Sequence, residues 1–74
     1  MNAYATIEFL SNTTNNNRVV RRALVEMSDT NGNWIGSFTA FGLTSEQTKD
    51  VAYIEANINL SRKGYTLQSL RVAA

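Results

Sequence analysis

Seventy-four residues, with seven Lys or Arg against six Asp or Glu, give one small domain of net charge +1, far from the basic balance of a dedicated nucleic-acid domain. There is no Cys and no His, which removes disulfides, structural zinc and the two commonest catalytic nucleophile and base systems. A chain this short buries only about 60% of its unfolded surface, and below roughly 70–80 residues a staple is usual; of the staples, self-association is the one left.

The start, Met1-Asn2-Ala3-Tyr4, shows neither the basic nor the apolar region of a secretion signal. No apolar run approaches the ~20 residues of a membrane span. Asn12-Thr13-Thr14 and Asn59-Leu60-Ser61 match the glycosylation acceptor, which without a secretion signal is a chance match. The expected location is the cytoplasm, away from membranes.

Ala3 to Leu10, "AYATIEFL", alternates Ala5, Ile7 and Phe9 with Tyr4, Thr6 and Glu8, which predicts a strand. Ser11 to Asn17, "SNTTNNN", holds only residues whose side chains compete with regular structure, and predicts a mobile loop. The next stretch has two periodicities. Val19, Val20, Ala23, Leu24 and Met27 fit helical spacing, but Asn31-Gly32 downstream is a hairpin signal of the type I′ kind, with φ above zero at both residues. A hairpin needs a strand on each side, so Val19–Ser28 and Trp34–Phe41 are assigned as strands.

Thr44 then opens a helix, with Gln47 three residues on as the other half of a capping box. Through Lys63 the apolar positions Val51, Ile54 and Ile58 form one stripe, expected to face the sheet. Glu46 and Asp50 near the helix start and Arg62 and Lys63 at its end suit the macrodipole. Gly64 fits the left-handed position after the helix, packing Tyr65 on Leu60 in a Schellman motif. "YTLQSLRVAA" closes the chain as a final strand offering Leu67, Leu70 and Val72 to the core. The fold class is therefore α+β: a small two-layer domain in βββαβ order, an antiparallel meander with one helix packed on the sheet and the last strand at a sheet edge, residues 1–74 forming one domain.

No catalytic residues stand out. Glu8 and Glu26 could face each other across neighbouring strands, and Asp50 and Glu55 lie on the helix, but nothing marks them as more than solvated carboxylates. Gly32, Gly36, Gly42 and Gly64 never approach a phosphate-cradling spacing. Asp29 to Asn33 superficially fits a calcium loop, yet Trp34 and Ala40 stand where an EF-hand needs its Gly and Glu. No enzyme, cofactor or metal site is expected.

Three groups could bind something. Arg18, Arg21 and Arg22 would form a basic hook on a helix, but a strand sends Arg21 and Arg22 to opposite faces and leaves Arg18 with Arg22, Arg71 joining them if the last strand is near. Trp34, sharing parity with Phe38, Gly36 and Ala40, could stack bases beside arginine. Ala52, Tyr53, Ala56 and Leu60 form a second helix strip, turned away from the Val51 stripe and suited to a partner surface. The leading expectation is a noncatalytic protein-binding module, a homodimer in its own right, that modulates or inhibits a macromolecular partner through that strip or through an unpaired sheet edge. Small inhibitors carried by phages or mobile elements have this size and composition. The alternative is a nucleic-acid binder using Arg18, Arg21, Arg22 and Trp34.

Overall fold

The computed structural model describes residues 1–73; Ala74, the end of the stretch assigned to the last strand, lies outside them. The elements are β1 (Asn2–Phe9), β2 (Thr13–Asn15), β3 (Arg18–Asp29), β4 (Trp34–Gly42), α1 (Ser45–Arg62) and β5 (Thr66–Val72). They form a five-stranded mixed sheet with one helix on it, the expected α+β architecture. β3 is central: β1 and β2 lie in line along one side of it, β4 along the other, and β5 runs parallel to β1.

Ser11–Asn17 is not simply a loop. Thr13–Asn15 pairs with Arg18–Val20, and Asn16 and Asn17 turn the chain at φ of 53° and 64°. This is the two-residue type I′ turn expected at Asn31-Gly32; Asn tolerates the left-handed region because its short polar side chain bonds locally. At the other hairpin only Gly32 is left-handed, at φ 83°. The Gly32 N–H donates to the Asp29 carbonyl at 3.1 Å and the Asp29 N–H to the Asn33 carbonyl at 2.9 Å, which closes a three-residue loop with Gly in the bulge position. Asp29 fixes that form, since its Oδ1 accepts from the N–H groups of Asn31 and Asn33, each at 2.9 Å.

The helix starts and stops as its sequence dictates. Thr44 is the N-cap, its Oγ1 accepting from the Gln47 N–H at 3.0 Å. The Gln47 side chain reaches one residue further back than a capping box requires and accepts from the Leu43 N–H at 2.7 Å. At the end, the N–H of Tyr65 donates to the Leu60 carbonyl and that of Gly64 to Ser61, with Gly64 at φ 83°: a complete Schellman motif.

The helix is rotated from its expected pose. Thr48, Ala52, Ala56 and Leu60 face the sheet and are fully buried, while Ile54 and Ile58 are 57% and 47% exposed. Small side chains explain this. The sheet's inner face presents Ala3, Ala5, Ala23 and Ala40 around Ile7, Val25 and Met27, so an alanine row lets the two layers close where a row of branched side chains would hold them apart. Tyr65 pins Leu60, the last member of that row, through the Schellman bond.

Candidate functional site

Burial alternates along β1, with Ala3, Ala5 and Ile7 under the helix, so Tyr4, Thr6 and Glu8 look out from the opposite face. Strand pairing extends that outer face across the sheet, because residues directly opposite share a side. One row holds Ser69, Tyr4, Ser28 and Trp34; the next holds Arg71, Thr6, Glu26 and Ser37; the next Glu8, Leu24 and Thr39; the last Arg22 and Phe41. No described element lies over this face.

Trp34 reaches it through an irregularity that no periodicity would reveal. Met27 pairs with Gly36 but Ser28 pairs with Trp34, leaving Ile35 as an extra residue. The bulge puts Ile35 with Phe38 against the core and Trp34 on the opposite side. Trp34 is thus separated from Phe38, contrary to simple parity, and joins Tyr4 and Phe41. These three aromatics are 67%, 41% and 51% exposed. Beside Trp34, a shallow open depression of about 240 Å³ is lined by Thr6, Glu26, Met27, Ser28 and Gly32, below the range of ordinary small-molecule sites.

The other expected sites fare differently. Ala52, Ala56 and Leu60 are inside the core, so the helix strip proposed as a contact surface does not exist as a surface; of its four residues only Tyr53, 49% exposed, faces solvent. Arg22 lies on the outer face opposite Phe41, its Nε donating to the Ser11 carbonyl at 3.0 Å. Arg21 pairs with Gly42 and points to the other side, and Arg18 sits at the β2–β3 tip. The strand does split the hook. Glu8 and Glu26 share the outer face diagonally, with Leu24 and Thr6 as their direct partners, and do not face each other.

Turn geometry holds the Asp29 carboxyl below its ordinary value of 3.8: the Asn33 N–H bond is the main cause, with smaller help from the Asn33 side chain and the Asn31 N–H against a desolvation penalty. Among the described residues, no three acidic side chains gather as metal ligands would, and no helix is long and apolar enough to cross a membrane. Compared with known proteins, the chain matches no family model, no curated protein and no solved structure.

Proposed function

We propose that the chain is a noncatalytic protein-binding module that docks its uncovered sheet face on a macromolecular partner and modulates or inhibits it. The observation that carries this is the placement of Tyr4, Leu24, Trp34 and Phe41 on one face with no described element over it. Aromatic residues and Arg are the types enriched at the centres of protein interfaces, and here three aromatics stand exposed among polar and charged rows on the same face. Arg22 and Arg71 on the same face are matched by Glu8 and Glu26, which suits a mixed-charge protein surface better than a phosphate backbone. Substituting Trp34 and Phe41 together by Ala tests the assignment: the fold should persist while partner affinity falls by about thirty-fold or more.

Nucleic-acid binding has one observation in its favour. From Leu10 to Val25 the chain carries three Arg and no acidic residue, and part of this stretch forms the β2–β3 hairpin end, in a molecule 42 Å long and only 24 by 17 Å across. A titration with single- and double-stranded DNA and RNA at two salt concentrations decides it, since three phosphate contacts on a duplex would give a salt slope of about −2.7.

A further inference from the structure

We propose that the free edge of β4 pairs with the same edge of a second copy, joining the two sheets across a two-fold axis. This goes beyond the docking role of the outer face, which such a dimer leaves open. The chemistry of the edge follows from the ladder. The Leu10 N–H donates to the Arg22 carbonyl, so Arg22 spends its backbone groups on the β1 side. Alternate residues of a central strand bond opposite neighbours, so Arg21, Ala23, Val25 and Met27 bond β4, through Gly42, Ala40, Phe38 and Gly36. The N–H and C=O groups of Ser37, Thr39 and Phe41 therefore point away from the sheet, and all three residues are exposed.

Proteins blunt such edges with charge, Pro, short strands or bulges. Along its nine residues, "WIGSFTAFG", β4 has no charge and no Pro, and its bulge at Ile35 sits by the turn, leaving Ser37–Gly42 regular. The other edges are blunted: β5 carries Arg71 and an extra residue at Gln68, and β2 is three residues long.

A second copy fits the edge in both register and flank. Antiparallel self-pairing with Thr39 on the axis sets Thr39 against its counterpart and Ser37 of each copy against Phe41 of the other, which engages every outward backbone group of the three residues. No like charges meet, because β4 has none. β4 and β5 are parallel, and the right-handed course of such a crossover turns the Val51, Ile54 and Ile58 row of α1 toward the β4 flank. Val51 is half-buried against the core, and the exposed Ile54 and Ile58, which the core did not use, thus continue the edge as an apolar strip. A two-fold axis through β4 puts both helices on one face of the joined sheet, strip toward strip.

Sedimentation equilibrium of the intact protein over a micromolar to millimolar range is the test, read beside amide hydrogen exchange of the wild type. The proposal expects a dimer, with Ser37, Thr39 and Phe41 amides slowed as concentration rises through the dimerisation range. Thr39→Lys sets like charges at the axis, and Thr39→Pro removes an outward N–H that β3 does not use; each should weaken the dimer about ten-fold or more. A monomer throughout with fast exchange at those amides overturns the proposal. So does a dimer that keeps its affinity in both variants, or one that yields instead to Trp34→Ala. Should a variant fail to fold, the wild-type exchange result decides alone.

Discussion

Gly42 lies so close under Thr48 that a Cβ at position 42 would come within 2.6 Å of the Thr48 Oγ1 and 2.7 Å of its backbone nitrogen. Thr48 cannot move aside easily, being fully buried with its hydroxyl donating to the Thr44 carbonyl at 2.7 Å. Gly42→Ala should therefore cost about 1–3 kcal/mol, read as a loss of about 4–8 °C in melting temperature per kcal/mol. Adding Thr48→Ala should not restore stability, because the backbone remains in the way. Full rescue by the double variant would mean that the hydroxyl alone sets the spacing.

Helix rotation makes a paired prediction. Ala56→Asp buries an unpaired carboxylate between the layers, at a cost of several kcal/mol, and should abolish a cooperative thermal melt. Ile54→Ser, on the exposed row, should keep the melt cooperative and the far-ultraviolet circular dichroism unchanged. The reverse pattern would restore the stripe that hydrophobicity favours.

Turn chemistry separates the two hairpins. Asn17 is left-handed, so Asn17→Val should cost about 1–2 kcal/mol, whereas Asn17→Gly should be neutral or mildly stabilising. Asn31 is not left-handed, and Asn31→Gly should bring no gain. Denaturant midpoints for the three variants provide the comparison, and stabilisation by Asn31→Gly would place the type I′ turn there after all.

Acid should act through Asp29. Its carboxyl is held lower in the folded chain than its ordinary 3.8, so its contribution to stability is present above that value and is lost as pH falls through the folded value. The stability gap between wild type and Asp29→Ala should accordingly be widest near neutrality and narrow at acidic pH. A gap that stays constant through the carboxylate range would remove the carboxylate from the turn's stability.

Most of the fold was legible in the sequence because its signals were local. The Thr44 cap, the Gly64 stop and the alternation that buries Ala5 and Ile7 each need only a few neighbouring residues to act, although Phe9, read on the same face, is 37% exposed. The misread features depend on the whole sheet. Hydrophobicity ranks Ile54 and Ile58 above Ala52 and Ala56, but which row turns inward was decided by how closely two alanine-rich layers can approach; of the expected stripe only Val51 packs against the core. Ile35 forms a bulge only in its pairing with Met27 and Ser28, so the face reached by Trp34 could not be counted from the turn. The outer face was accordingly half visible: its aromatics and arginines were singled out, while their meeting on one side required the register of four strands.

The central claim, docking of a protein through that face, is tested most directly by affinity capture from a lysate of the source cells. Capture would be run with and without nuclease, using wild type beside the Trp34→Ala, Phe41→Ala double variant. The expected result is a protein that stays bound after nuclease treatment and is lost with the double variant. A prey released by nuclease, or one held equally by the double variant, would contradict it.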